Sequence, residues 1–284
     1  MTPSRKLRTM LCLALLLCLL VGLLPAPVAC AASSSGICGK DLSWTLDADG
    51  TLTISGSGKM ADYSSSKEPP WNTSITLVRI EEGVTSIGYK AFCNCDALSS
   101  VTIPASVTSI GRMAFDSCRS LRSVTIPDGV SSIRERAFSY CESLSSVTIP
   151  ASVTFLGERA FAYCCSLTSV AIPDSVTSIG HRVFSWCKSL RFVTIPASVT
   201  SIGDSAFYSC GSLTSITIPD SVTSIGDCAF YSCGSLSSVT VPASVTSIGD
   251  HAFASCPLLT LTVTRGSYAE QYCAEEDLRC TVVP

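Results

Sequence analysis

The chain has 284 residues, of which 46% are hydrophobic and only 14% are charged, and its formal net charge is −3. This composition allows a sizeable apolar core and excludes the strongly basic balance that is typical of nucleic-acid-binding proteins. Ser and Thr supply most of the polar residues, and Cys is abundant, with 17 residues.

The N-terminus has the pattern of a secretory signal peptide. A basic start precedes an apolar run at 10–24, which at about 15 residues is too short for a comfortable membrane span. Small residues predict cleavage after Ala31, so we expect residues 1–31 to be removed on export. Cys30 leaves lipid attachment open, although Pro27 stands where a lipobox normally has an aliphatic residue. No second apolar segment follows, so we expect no membrane span after cleavage.

Residues 32–75 are predicted to form an N-terminal β cap. Two runs of alternating hydrophobic and polar residues flank Asp49-Gly50, which is a hairpin signal. The stretch "DADG" at 47–50 also has a faint likeness to a calcium loop, but a hairpin turn accounts for it.

From residue 76 to residue 263 one unit recurs every 23 residues without insertion, in the pattern C-x-x-L-x-x-V-x-I-P-x-x-V-x-x-I-x-x-x-A-F. The eight phenylalanines that define it are Phe92, Phe115, Phe138, Phe161, Phe184, Phe207, Phe230 and Phe253. A Cys follows each Phe by three residues, from Cys95 to Cys256. A fixed period of this length predicts a solenoid.

Each part of the unit predicts a local structure. "L-x-x-V-x-I-P" alternates and is β-branched, so it predicts a short strand ended by Pro. "V-x-x-I-G" predicts a second extended segment. "A-F-x-x-C" has helical spacing and predicts a single helical turn, for which Asp204, Asp227 and Asp250 are candidate N-caps.

A single unit buries too few side chains to offset its conformational entropy, so the units must stack. The predicted fold is therefore a repeat solenoid, mainly β with short helical turns, in a right-handed stack of about eight rungs of the leucine-rich-repeat type. The solenoid is expected at 76–263, and residues 264–284 are expected to form a C-terminal cap with a short helix and a final strand.

The repeated motif "SxTIPxSVTSIGxxAFxxCxSLT" and the flanking segments resemble the BspA-like leucine-rich repeats of the TpLRR class. The resemblance covers nearly all of the chain after the signal peptide. It implies an exported or surface-displayed bacterial protein that adheres to host matrix proteins, other bacteria or host cells. It carries over no binding residues, because the shared motif is the scaffold itself.

The column of Cys residues is expected to hold buried free thiols. Stacked side chains keep their Cβ atoms about 4.8 Å apart, which is wider than the usual disulfide separation. Free Cys behaves as a small apolar residue in a core. Cys273 and Cys280, in the C-terminal cap, remain candidates for a disulfide.

No enzyme chemistry is expected. The two histidines, His181 and His251, lie about three rungs apart, and the many Ser and Thr residues repeat with the scaffold, so none is marked as a nucleophile. There is no Gly-rich phosphate loop and no metal-ligand spacing. We therefore predict no catalytic, cofactor-binding or metal-binding residue, although the Asp column could in principle hold a cation.

Specificity must lie in the variable positions. In three consecutive units an Arg precedes an aromatic residue by four positions, and these six residues, the Arg–aromatic ridge, are Arg136, Tyr140, Arg159, Tyr163, Arg182 and Trp186. Arg, Trp and Tyr are the commonest interface hot spots. Local cation–π packing within the ridge is the alternative explanation.

These features predict an exported, non-enzymatic binding or adhesion protein, secreted or at a bacterial cell surface. Its expected partners are proteins or glycans at a host or bacterial surface. A structural or self-assembling component of a surface layer is the alternative, and the oligomeric state is left open.

Overall fold

The computed structural model describes residues 34–71 and 74–284. The expected signal peptide at 1–31, including Cys30, lies outside the described residues. The described residues form a β-solenoid of about ten turns with parallel stacked strands and very little helix. The predicted repeat solenoid is therefore confirmed.

A small antiparallel sheet begins the structure. It contains β1 (Ser34–Ile37), β2 (Leu42–Leu46) and β3 (Thr51–Gly56), and a short strand, β4 (Gly58–Lys59), follows. Between β2 and β3, Gly50 has a φ of +84° and Thr51 donates its N–H to Asp49 Oδ1 at 3.0 Å, which confirms the hairpin turn. β3 then pairs in parallel with the first strand of the repeats.

Each repeat contributes two strands, and these stack into two columns. The first column contains β5 (Leu77–Ile80), β7 (Ser100–Thr102), β9 (Ser123–Thr125), β11 (Ser146–Thr148), β13 (Ser169–Ala171), β15 (Phe192–Thr194), β17 (Ser215–Thr217), β19 (Ser238–Val241) and β21 (Thr260–Thr264). The second contains β6 (Val84–Ile87), β8 (Ser109–Ile110), β10 (Ser132–Ile133), β12 (Phe155–Leu156), β14 (Ser178–Ile179), β16 (Ser201–Ile202), β18 (Ser224–Ile225) and β20 (Ser247–Ile248).

The register between rungs is the 23-residue period of the sequence. Val147 lies opposite Val124 in the first column, and Ile225 lies opposite Ile202 in the second. The eight phenylalanines form a third, fully buried column in which successive ring centroids are 5.1 to 5.8 Å apart and ring planes lie within 18° of parallel. The core is thus one continuous stack.

Hydroxyl groups at the corners bond one rung to the next, which explains why Ser and Thr dominate the polar positions. Ser198 donates its hydroxyl to the Val176 carbonyl at 2.8 Å, and Thr200 donates its hydroxyl to the Thr177 carbonyl at 3.2 Å. The same two bonds recur along the solenoid. They satisfy carbonyl groups at the corners, where the strands have ended.

The segment around each Phe differs from a helical turn in two respects. Its backbone N–H groups alternate in direction: Tyr208 donates to the Ser205 carbonyl three residues back, whereas Phe207 donates to Ala229 in the next rung. The positions two before and two after Phe have φ near +55°, as at Ser205 and Ser209. The segment is therefore a series of overlapping tight turns bonded to its neighbours.

These left-handed positions lead to a stability prediction. Ser232 has a φ of +59°, a conformation that costs a non-glycine residue about 1–2 kcal/mol. Glycine avoids that strain and loses about 0.5–1 kcal/mol in backbone entropy. We expect Ser232→Gly to raise the free energy of unfolding by about 0.5 kcal/mol, measured by chemical denaturation. Ser235, which is not at positive φ, is the control. If Ser235→Gly and Ser232→Gly destabilise equally, the strain is absent.

The Asp column also acts between rungs. Asp204 Oδ1 accepts the backbone N–H of Asp227 at 3.0 Å, and Asp227 Oδ1 accepts the N–H of Asp250 at 3.0 Å. The Asp carboxylates therefore do accept backbone N–H groups at the start of a turn, as predicted. Each carboxylate, however, caps the turn of the following rung rather than its own.

The Cys column consists of free thiols, as predicted. Cys187 donates its S–H to the Phe161 carbonyl at 3.2 Å, and equivalent bonds recur from Cys118 to Cys256. Burial raises the pKa of Cys210 to about 12. Cys273 and Cys280 are also free thiols in this structure.

Aromatic residues close both ends of the Phe column. Trp71 stacks on Phe92 at 5.6 Å and donates its indole N–H to the Ala91 carbonyl at 3.0 Å. At the other end Tyr272 meets Phe253 edge-on at 6.4 Å. Tyr272 lies on α1 (Tyr268–Glu275), and β22 (Cys280–Val283) then pairs in parallel with β21. The predicted helix and strand of the C-terminal cap are confirmed.

Candidate functional site

The turn side of the solenoid holds all six residues of the Arg–aromatic ridge. In each rung the Phe and the residue before it are buried, and the Cys that follows is buried in all but the last rung. In the three rungs of the ridge, both left-handed positions carry half-buried side chains. The six ridge residues line one groove with a volume of about 480 Å³, the ridge groove, together with Ser185, Ser205 and Tyr208. The structure therefore brings the ridge together, although its turns are not helical.

The aromatic rings of the ridge stack along the solenoid axis. Tyr140 and Tyr163 have centroids 4.2 Å apart, and Tyr163 and Trp186 have centroids 5.7 Å apart, with planes within 7° of parallel in both pairs. The stack continues through Tyr208 and Tyr231, whose centroids are 5.1 Å apart. Sequence analysis missed these last two rings.

The sequence does contain a signal for Tyr208 and Tyr231, one position before that of the other aromatic residues in the repeat. Tyr208 and Tyr231 each follow the core Phe by one residue, whereas Trp186 follows it by two. The stack thus changes position within the repeat between two rungs. A search along a single alignment position does not find such a change, because it compares equivalent positions only.

The arginines of the ridge do not pack on its rings. Among the described residues, the cation–π contacts involve Tyr63, Tyr89 and Trp186, and the cation over Trp186 is Lys188 at 5.2 Å. Arg and aromatic side chains instead face the groove. The alternative of internal cation–π packing within the ridge is therefore not what the structure shows.

Two of the three arginines have acidic partners. Arg136 Nη2 lies 3.0 Å from Asp116 Oδ2, and Arg159 Nη1 lies 3.0 Å from Glu158 Oε1. Among the described residues, Arg182 has no carboxylate within 4.0 Å. The three guanidinium groups therefore differ in how much of their charge is already neutralised.

The pair at Arg136 is the more buried one. Asp116 is only 2% exposed, and its Oδ1 has no hydrogen-bond partner among the described residues, nor do Arg136 Nε and Ser139 Oγ. Burial raises the pKa of the Asp116 carboxyl, and the nearby Arg136 charge acts in the opposite direction. The ion pair with Asp116 therefore fixes the Arg136 side chain at this end of the groove.

The residues considered for other chemistry do not form a site in the described part of the chain. His181 Nε2 lies 4.0 Å from Glu158 Oε1 and its Nδ1 lies 4.0 Å from Asp204 Oδ2, whereas His251 lies beside Glu276 at 3.7 Å. No group of three or more potential metal ligands occurs among residues 34–71 and 74–284. Over the same residues, no helix has the length and apolar character needed to cross a bilayer.

Comparisons with solved structures support the fold. The chain is 26% identical to a leucine-rich repeat protein from Eubacterium ventriosum, with a TM-score of 0.55 over 83% of this chain and 73% of that chain. The leucine-rich repeat protein of T. pallidum is 24% identical, with a TM-score of 0.52 over 86% of this chain and 96% of that chain. A leucine-rich repeat protein from Bacteroides ovatus is 23% identical, with a TM-score of 0.55 over 86% and 76% of the two chains. None of the curated proteins matches the chain.

The family comparison is more specific. A family model described as a BspA type leucine-rich repeat region, in 6 copies, matches residues 71–170 and 156–274. Repeat solenoids of this kind are typically binding scaffolds and bacterial surface proteins. The matched residues cover most of the chain and coincide with the stacked rungs of the structure, so the chain belongs to the family of BspA-type leucine-rich repeat proteins.

Proposed function

We propose that this chain is an exported, non-enzymatic binding protein that uses the ridge groove to hold a protein or glycan at a host or bacterial surface. The observation that carries the proposal is the groove itself. It brings three arginines and a stack of aromatic rings together in one place. Its volume of about 480 Å³ is within the range of about 300–1,000 Å³ that small-ligand sites occupy.

Export is the second part of the proposal. It rests on the sequence pattern of residues 1–31 and on the bacterial surface location typical of the family. The N-terminal residue of the exported protein is expected to be Ala32. An exported chain that retains residues 1–31, or that carries lipid on Cys30, would contradict this part.

A double substitution tests the groove. We expect Arg159→Ala with Tyr163→Ala to weaken binding of the partner at least tenfold, because both side chains lie at the centre of the ridge groove. The melting temperature should change little, since both residues lie outside the Phe column. The assay is retention of matrix proteins, mucin and bacterial envelopes by the immobilised chain.

The matched control is Arg191→Ala with Phe192→Ala. This pair also removes one Arg and one aromatic residue, but both side chains are exposed on the strand side of the solenoid. It should leave binding unchanged. If the ridge variant lowers the melting temperature but retains its partner, the ridge is a packing feature. If the unliganded chain forms ordered oligomers in size-exclusion chromatography and retains nothing, the structural or self-assembling role is favoured.

A further inference from the structure

The aromatic stack has one opening. Among the five rings from Tyr140 to Tyr231, only Trp186 and Tyr208 are tilted, at 41° with centroids 6.0 Å apart, whereas the other successive pairs lie within 10° of parallel. The tilt occurs where the stack changes its position in the repeat. The face of Trp186 toward Tyr208 is therefore less covered than its face toward Tyr163, and Lys188 Nζ lies 5.2 Å from the Trp186 centroid.

The arginine column ends at the same point. Arg136, Arg159 and Arg182 occupy the position two before Phe, and the next residue in that column is Ser205. A short side chain there leaves uncovered the space that another Arg would fill. Arg182 thus ends the column beside the opening in the ring stack.

Arg182 is also the groove arginine without an acidic partner. Arg136 and Arg159 each have a carboxylate at 3.0 Å, whereas no described carboxylate lies within 4.0 Å of Arg182. The nearest acidic residue in the adjacent rung, Asp204, uses Oδ1 to accept the Asp227 N–H and has its Oδ2 4.0 Å from His181 Nδ1. The five N–H donors of the Arg182 guanidinium therefore remain available to an anion.

Two hydroxyl groups line the same groove as this guanidinium. Ser185 is 2% exposed and Ser205 is 7% exposed, and both line the groove. Within the part of the chain that the structure describes, neither hydroxyl makes a side-chain hydrogen bond, unlike the corner serines. Neither oxygen is among the fully buried unpartnered side-chain atoms of the described residues, so both hydroxyls can donate to or accept from a ligand in the groove.

We propose that Arg182, Ser185 and Ser205 form a subsite for the carboxylate of an acidic sugar whose ring rests against Trp186. A carboxylate matches the planar fork of Arg in a bidentate pair, and the two hydroxyls supply further hydrogen bonds. This inference rests on the proposed function and assigns the ligand class of the same groove.

The backbone of the groove favours a sugar over an acidic peptide. Bound peptides commonly pair with a free strand edge or anchor in apolar pockets. Here the N–H groups of Arg182, Phe184 and Trp186 already donate to carbonyls of the next rung, at 3.0, 2.9 and 2.7 Å. The groove therefore offers side-chain hydroxyls, guanidinium groups and ring surfaces, whereas these three N–H groups are not free to pair with a peptide.

The test compares acidic and neutral sugars on the full chain. The probes are 3′-sialyllactose, a glucuronate-terminated disaccharide and lactose, followed by calorimetry and by tryptophan fluorescence. Fluorescence is informative because Trp44 and Trp71 are buried, whereas Trp186 lines the groove. We expect at least one acidic sugar to bind at least tenfold more tightly than lactose, and higher salt to weaken only the acidic sugar. The two acidic probes distinguish a sialate from a uronate source.

Substitutions assign the effect to the subsite. Arg182→Gln should reduce binding of the acidic sugar at least tenfold and leave lactose unchanged. Arg191→Gln, on the strand side, should match the unsubstituted chain. Equal binding of acidic and neutral sugars, no binding of any sugar, an unaffected Arg182→Gln variant, or tighter binding of a pentaglutamate peptide would each overturn the proposal.

The proposed function and the subsite fail in different ways. If the chain retains desialylated mucin and Trp186→Ala abolishes that retention while Arg182→Gln does not, the groove binds ligands but the acidic subsite is wrong. If the unsubstituted chain retains no surface component, the proposed function itself fails.

Discussion

Phe184→Ala is expected to lower the free energy of unfolding by about 3–5 kcal/mol, the usual loss when a buried Phe is truncated. Phe184 is 0% exposed and stacks between Phe161 and Phe207, at centroid distances of 5.8 and 5.7 Å. Truncation leaves a cavity that both neighbouring rungs line. Because a solenoid is stabilised mainly by contacts between adjacent rungs, the loss acts on two interfaces. Guanidinium denaturation followed by circular dichroism measures it.

Phe192 provides a control with the same side chain. It lies in β15, is 64% exposed and replaces the Ser found at this position in the other repeats from β7 to β19. Phe192→Ala should change the free energy of unfolding by less than about 0.5 kcal/mol. Similar losses of unfolding free energy in the two variants would mean that the Phe column does not stabilise the core.

The second prediction concerns thiol reactivity. In the native protein at pH 8, we expect the buried column cysteines to react with iodoacetamide at least about 10³-fold more slowly than Cys280, since only the thiolate is the nucleophile. Cys280 is exposed, whereas Cys210 is fully buried. Burial raises the pKa of Cys210 to about 12, so its thiolate fraction at pH 8 is about 10⁻⁴. Cys256 is half-buried at the end of the column, and a hydrogen bond with Cys233 lowers its pKa, so it should react faster than the fully buried column cysteines.

Intact mass and peptide mapping over time follow the adducts. The control is the same reaction in guanidinium, where all 14 free cysteines of the described residues should be alkylated at similar rates. Column cysteines that react as fast as Cys280 in the native protein would contradict their burial. Cysteines that resist alkylation in guanidinium but react after reduction would show disulfides instead.

The Arg–aromatic ridge shows how much of the candidate site could be predicted from the sequence. Its six residues were identified because they depart from the repeat at equivalent positions, and the structure places them along one groove. The acidic partners of Arg136 and Arg159 were not identified. Asp116 belongs to a different rung from Arg136, and Glu158 directly precedes Arg159. Side-chain direction at left-handed backbone positions decides such pairs, and a helical turn was the wrong geometry from which to infer it.

The amino-acid sequence alone determined the solenoid, its 23-residue register and the membership of its buried columns, because identical rungs can share a core only when equivalent side chains lie above one another. The tertiary structure alone decided the left-handed turns around each Phe, the transfer of the ring stack from Trp186 to Tyr208, and the absence of an acidic partner for Arg182 among the described residues. These features depend on contacts between non-equivalent positions of neighbouring rungs. The backbone direction at the left-handed positions decides those contacts, and the repeat pattern of the sequence does not reveal that direction.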